Sequence, residues 1–355
     1  LKVQPPPIHT MELPRKILIG DGVISQVGSL VRSLGNVSKV AVITGKKVKE
    51  RAGQACDASL YKSSLNVSWH VTSDASMATV DKLQCVIGND PPDFVIGLGG
   101  GRSVDLAKMT AHQLGRPFLS LPTSASHDGI SSPFVSIRGI DKPYSVKANT
   151  PIGVVADTWL LSQAPPRLMA SGCGDLVAKI TAVKDWELAR DDRGEYFGSY
   201  AANLSYMSAK IILDESEKLR KKDQMSIRTV VEALISAGVA ACIAGSSRPC
   251  SGAEHLFSHA LEYIAGQDCG LHGERVGLGT IIMAKLHGLE WERIAEALKA
   301  MGAPTKAKQI NLNESQVAKA LSIAQSLRPD RYTILSKIRL DSKQALELAK
   351  SVRVV

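Results

Sequence analysis

The sequence predicts a two-part α/β protein, with an N-terminal domain on a parallel sheet and a C-terminal domain made of helices alone. Three observations carry this. Over the first ~160 residues, short β-rich runs alternate with helix-like stretches, the pattern of parallel strands joined by crossover helices. After "DTWLLSQAPPRL" the apolar residues recur at three- and four-residue spacing to the end of the chain, which is helical periodicity. At 355 residues the chain exceeds one minimal core and suits two domains of ordinary size. Pro165-Pro166 marks a hinge, and the division is taken as residues 1–162 and 163–355, with a ligand cleft expected between them.

Taken in order, "LKVQPPPIHTMELPRK" carries three prolines and reads as an extended arm. It has no apolar centre, so no signal peptide is expected there. Strands are expected at "KVAVIT" (39–44), "VSWHV" (67–71), "DFVIGLG" (93–99) and "PFLSLP" (117–122). "RSVDLAKMTAHQL" (102–114) is the helix between the last two. From Pro133 to Asp157 the period falls to two around Gly139 and Asp141 to Pro143, which predicts a hairpin followed by one more strand. "ASGCGDLVAKITAVKDWELAR", "RTVVEALISAGVAACIAG" and "EWERIAEALKAMG" read as helices of the second half. No internal repeat or low-complexity tract interrupts them.

Composition narrows the function. Hydrophobic residues make up 44% and aromatics only 5%, so a large core is available, built from Ala, Val, Leu and Ile. No apolar run of ~18 or more residues is read in the sequence, so no membrane span is expected. The net charge of +9 fits either a solvated basic surface or attraction of anionic small molecules such as nucleotides. Basic residues are scattered, and the cluster "KLRKKDQ" (218–224) lacks interleaved aromatics. It reads as a loop between helices, and nucleic acid is not expected as a partner. The six cysteines form no CxxC pair, which disfavours a zinc ribbon and leaves a reducing cytosol as the default compartment. Cys173 and Cys269 are expected to be buried small hydrophobes; an intracellular disulfide enters only if the source is a hyperthermophile.

"DFVIGLGGGRSVDLAK" is a strand, a triple glycine and a helix. Gly99, Gly100 and Gly101 admit positive φ and let backbone N–H groups approach an anion, and the helix adds its positive end. A tight turn with no ligand satisfies the same residues. Two better-known phosphate loops fail: GxGxxG from Gly97 meets Arg102, and a Walker loop ending at Gly101 meets Ile96. The following "LSLPTSASHDGISSP" offers hydroxyls at Thr123, Ser124, Ser126, Ser131 and Ser132, with His127 and Asp128 as titratable groups among them.

Three of the eight histidines fall within "CSGAEHLFSHALEYIAGQDCGLHGERVGLG" (250–279). His255 and His259 share one helix face at i, i+4, but HExxH needs Glu after the first His, so a metalloprotease is disfavoured. His255 and His272 could each give one ligand, and a carboxylate would complete a three-ligand site with an open position. Asp175, between Gly172 and Gly174 on one side and an apolar run on the other, is the candidate. A core histidine and a helix-capping Asp account for the same residues without a metal.

In order, "GGGRSVDLAK", "PTSASHDGISSP", "SGCGDLVAK", "GAEHLFSHALE" and "LHGERVGLGT" resemble the archaeal sn-glycerol-1-phosphate dehydrogenase family. That family lies within the superfamily of iron-type alcohol dehydrogenases, glycerol dehydrogenases and dehydroquinate synthases. The similarity runs over nearly the whole chain. It implies a Rossmann-like N-terminal domain within a dehydroquinate synthase-like fold. It further implies Zn²⁺, one per subunit, on Asp175, His255 and His272. Asp128, Asp175 and His259 match the substrate-contacting and catalytic positions. Gly99, Gly100, Gly101, Arg102, Ser103, Val104, Asp105, Thr123, Ser124, Ala125, Ser126 and Ser132 match the nicotinamide-cofactor loops. The implied reaction is reversible reduction of dihydroxyacetone phosphate to sn-glycerol 1-phosphate by a cytoplasmic homo-oligomer. Thr44, Lys46 and Lys47, where an acid would favour NAD, suggest that NADP is accepted, alongside NAD. The rival readings are a glycerol dehydrogenase, a dehydroquinate-synthase-like cyclase (disfavoured by Asp175, where that family has Glu) and a non-catalytic NAD-binding protein.

Overall fold

The computed structural model describes residues 9–139, 145–266 and 269–355. The first half runs β1 (Lys16–Gly20), α1 (Val27–Leu34), β2 (Lys39–Gly45), α2 (Lys46–Lys62), β3 (Asn66–Thr72), α3 (Met77–Gly88), β4 (Phe94–Gly99), α4 (Gly101–Gln113) and β5 (Phe118–Pro122). The two-residue strands β6 (Phe134–Val135) and β7 (Val146–Lys147) pair antiparallel, and β8 (Gly153–Asp157) with α5 (Thr158–Ser162) closes the half. The expected hairpin is this short pair; its proposed turn residues Asp141 to Pro143 lie outside the described residues.

The main sheet has six strands, ordered β1-β8-β5-β4-β2-β3, and every pairing is parallel. Its strands serve two faces at once. Val40 and Val42 of β2, with Phe94, Ile96 and Leu98 of β4, enter the core under α1 and α2. Ala41 and Ile43, with Val95, enter the opposite core under α3 and α4. A strand buried on both sides reads as a continuous apolar run, which is why these strands were legible. Lys16, expected at the end of an extended arm, instead opens β1, an edge strand paired to β8.

The remainder is helical: α6 (Pro166–Val177), α7 (Lys179–Arg193), α8 (Ser199–Asp214), α9 (Ser216–Leu219), α10 (Gln224–Ala244), α11 (Ala253–Ala265), α12 (His272–Leu286), α13 (Trp291–Ala300), α14 (Glu314–Leu327), α15 (Ile334–Lys337) and α16 (Ser342–Ser351). The basic cluster at 218–224 spans the end of α9 and the turn into α10, where Asp223 caps the helix. A second correction concerns α10, which is long and apolar enough by length and composition to cross a membrane. It is a core helix here: 67% of its most apolar window is buried, against α6, α8 and the loop after β5. A helix apolar on all sides marks full burial in a large protein as well as a membrane span. Cys56, Cys173, Cys242, Cys250 and Cys269 are buried, Cys85 is exposed, and all six are free thiols.

Candidate active site

The strand order places β2 beside β4 with their connections running to opposite sides, a switch point where ligands bind at the carboxyl ends of strands. A cavity of about 1120 Å³ opens there, ample for a small-molecule site. Among the expected cofactor residues, Lys46, Gly100, Gly101, Arg102, Ser103, Asp105, Thr123, Ser124, Ser126 and Ser132 border it. Thr44, Gly99, Val104 and Ala125 stand behind the wall; Thr44 and Val104 are fully buried in the sheet's packing. Lys47 borders it too, and Arg51, one turn further along α2, joins the same wall. Arg51 was missed, although its i+4 spacing from Lys47 is a readable signal.

The glycine turn is sterically required. Gly99 has φ +153°, and a Cβ on Gly101 would lie 2.0 Å from Nε2 of His127. The Thr123 N–H donates to the Gly99 carbonyl at 2.9 Å, tying the hydroxyl loop to the turn. Gly100 caps α4 without a side-chain hydrogen bond, which leaves the amino end of that helix facing the cavity.

Asp175 from α6, His255 from α11 and His272 at the start of α12 converge, with all three ligand atoms within 4.8 Å of one another. Nε2 of His255 lies 3.3 Å and Nε2 of His272 3.8 Å from Oδ1 of Asp175. Nδ1 of His255 lies 2.8 Å from Oε1 of Glu254. A carboxylate there selects the tautomer with the proton on Nδ1, so an Nε2 lone pair faces a carboxylate oxygen. Two acceptors facing each other need a cation or a proton between them. The donor set therefore fits a divalent metal, one carboxylate and two imidazoles with the other ring nitrogen of His255 already fixed.

Glycines bring these helices together. A Cβ on Gly273 would lie 1.8 Å from the Ser171 carbonyl oxygen, and one on Gly174 would lie 2.2 Å from that of Gly273. A Cβ on Gly172 would lie 2.1 Å from the Ala125 carbonyl oxygen. Helix α6 thus touches α12 and the hydroxyl loop backbone to backbone.

Lys179, wholly buried, was not singled out from the sequence. Its Nζ donates to Asp175 Oδ1 at 2.9 Å and lies 2.8 Å from Asp128 Oδ2. The Asp128 N–H donates to Asp175 Oδ2 at 3.0 Å, so the three residues form one unit. Burial alone would raise the Asp175 carboxyl; the Lys179 charge first, then the proton that Nε2 of His255 carries when no cation stands between them, outweigh it and hold the group well below the usual range. Behind His255, Glu254 also accepts from Thr181 Oγ1 at 2.8 Å and from the Gly252 N–H at 2.6 Å. Lys179→Met is expected to lower the stability of the chelated protein by about 3–5 kcal/mol, because it strands the buried Asp175 carboxylate and the part-buried Asp128 beside it. Urea unfolding after chelation, wild type against variant, measures it.

His259 does not border the cavity; its ring centroid is 6.3 Å from that of His272. Burial first, then the charges of His255, Arg275, Arg328 and Arg331, push its imidazole down to about 3, so it is neutral at physiological pH. Asp128 does border the cavity.

The family model for iron-containing alcohol dehydrogenases matches residues 18–165. A protein of Nitrosopumilus maritimus named glycerol-1-phosphate dehydrogenase (NAD(P)+) is 51% identical over 98% of this chain and 97% of its own length. Its namesake in Pyrococcus furiosus is 44% identical over 98% and 100%. Among solved structures, a glycerol dehydrogenase of Schizosaccharomyces pombe superposes with TM-score 0.81 at 22% identity, covering 98% of this chain and 90% of that one. An iron-containing alcohol dehydrogenase of Thermotoga maritima gives 0.72 at 16% identity, covering 98% and 100%. At those identities the structures speak for the fold, and they match it over nearly the full length.

Proposed function

The chain belongs to the family of glycerol-1-phosphate dehydrogenases, and from that premise we propose how its cleft reduces dihydroxyacetone phosphate to sn-glycerol 1-phosphate with NAD(P)H. The observation that carries the proposal is the convergence of Asp175, His255 and His272 within 4.8 Å beside the glycine turn of β4 and α4. Zn²⁺ on those three residues would act as a Lewis acid on the ketone, and the nicotinamide would supply the hydride.

The chain's own residues do the rest. The amino end of α4 and the hydroxyls of Thr123, Ser124 and Ser126 receive the dinucleotide. Asp175 is ionised because Lys179 stands against it, so it needs to shed no proton before serving as a ligand. Asp128, fixed by Lys179 on one side and open to the cavity on the other, contacts the substrate and is placed to relay to its oxygen a proton drawn from solvent water. His259, neutral and set back from the wall, would act only through an intervening water. Pro165 lies at the cavity's edge, in keeping with a division near 162/163 into a cofactor-binding and a metal-binding domain. The same reading carries a cytoplasmic homo-oligomer, which fractionation and sizing would test.

The decisive assay is NADPH oxidation with dihydroxyacetone phosphate. Chelation is expected to reduce the rate by at least ~100-fold and zinc add-back to restore it. Preference for unphosphorylated glycerol would favour the polyol dehydrogenase instead. Lys46→Ala with Lys47→Ala is expected to raise the KM for NADPH about tenfold, the worth of a charge-assisted phosphate contact, and that for NADH by less than about twofold. Equal effects on both cofactors would refute the role of these lysines at the 2′-phosphate.

A further inference from the structure

The cavity continues past His255 to a wall of Ser247, Cys250 and Ser251, the turn that leads into α11. Behind that wall, from the segment between α14 and α15, comes Arg331, only 5% exposed. Its guanidinium donates to the Ser247 hydroxyl at 2.8 Å and to the Ser251 carbonyl at 2.5 Å. A guanidinium carries five donors, so these two contacts leave others unspent.

The other buried arginines nearby are charge-paired. Arg248 is held by Glu195, and Arg275 by Glu262 at 2.7 Å. Arg331 makes no ion pair among the described residues. The two acids that attract it are engaged elsewhere, Glu195 by Arg248 and Asp330 by Arg328. Burial, then the like charges of Arg328 and Arg248, disfavour its cation. A guanidinium keeps its proton at neutral pH, so the fold carries a buried positive charge without a counter-ion. Arg328 and Arg331 also bear on the His259 ring, which puts this charge near the imidazoles.

We propose that Arg331, with the Ser247 hydroxyl in front of it, anchors the phosphate of a phosphorylated ketone whose carbonyl lies at the Asp175–His255–His272 cluster. The assignment rests on the reaction proposed above and adds what distinguishes the phosphorylated substrate from its free polyol counterpart. The wall turn supplies one neutral donor on the cavity's lining, and the guanidinium behind it supplies the charge, the pairing that holds a phosphate monoester elsewhere in proteins.

The test compares zinc-loaded wild type and Arg331→Gln on dihydroxyacetone phosphate and on dihydroxyacetone, which lacks the phosphate. The ratio of kcat/KM for the phosphorylated over the free ketone is expected to fall by about 30- to 100-fold, most of it in KM, the loss of a charge-assisted contact. Inhibition by inorganic phosphate, competitive with the ketone, is expected to weaken by a similar factor. Ser247→Ala, which keeps the buried arginine and its hold on Ser251, should lower the same ratio by about 3- to 10-fold. A merely structural Arg331 would lower both ketones alike. An unmoved ratio with unchanged phosphate inhibition in a folded variant would overturn the proposal. Should the wild type fail to reduce dihydroxyacetone phosphate at all, the proposed reaction falls. Calorimetric titration of inorganic phosphate into wild type and both variants would still decide the anchor.

Discussion

His255→Ala is expected to leave a folded chain that holds no stoichiometric zinc and reduces dihydroxyacetone phosphate slower by on the order of 10³-fold or more. The ring is one of the three proposed ligands, and Asp175 and His272, whose Oδ1 and Nε2 lie 3.8 Å apart, cannot form a three-coordinate site alone. Its removal also leaves Glu254 buried without the imidazole that its Oε1 meets. Glu254→Gln separates these effects: it keeps the ligand but loses the carboxylate that sets the tautomer, and a loss of about 10- to 100-fold in zinc affinity is expected. Metal analysis beside kcat for both variants checks the order. A His255→Ala enzyme with full zinc and near-normal rate would remove His255 from the centre.

The second large effect is steric. Gly273→Val is expected to abolish zinc binding and to destabilise the fold by about 1–3 kcal/mol or more, since any Cβ there would overlap the Ser171 carbonyl oxygen 1.8 Å away. That carbonyl is backbone of the helix that carries Asp175, so relief of the clash moves α6 away from α12, and Asp175 away from His272. Gly277→Ala, one turn along the same helix, is the control. Its Cβ would meet Leu298 Cδ1 at an ordinary 3.5 Å, and alanine gains up to about 1 kcal/mol of helix propensity. Urea midpoints and zinc titrations of the two variants should therefore move in opposite directions or differ widely. Equal, mild effects would mean that the close approach of α6 and α12 does not position the metal ligands.

These predictions also show where the sequence was readable. β2 and β4 stood out because both faces of each are buried, which makes their cores unbroken apolar runs; β5, buried throughout with only Ser120 polar, stood out as well. β1 did not, because it is an edge strand with exposed residues at its start, and it follows directly on a proline-rich segment. α10 was underestimated as a candidate span because counting uninterrupted apolar residues misses a helix whose few polar groups are spread along it. The three candidate ligands could be singled out because imidazoles and a glycine-flanked acid are rare in this chain. Lys179 and Glu254 lacked such a mark. A lysine four residues after an aspartate and a glutamate beside a histidine are ordinary on any helix. Only packing of α6, α7 and α11 turns them into the charges that fix Asp175 and His255. Arg331 is further still, since its meaning depends on which acids do not reach it.

The account stands on one divalent cation shared by Asp175, His255 and His272, and anomalous diffraction at the zinc edge from crystals of the zinc-loaded protein tests this most directly. The expected result is one strong peak per chain at about 2.0–2.2 Å from a carboxylate oxygen of Asp175 and a ring nitrogen of each histidine. A peak on other residues, or none in protein that is active, would contradict it.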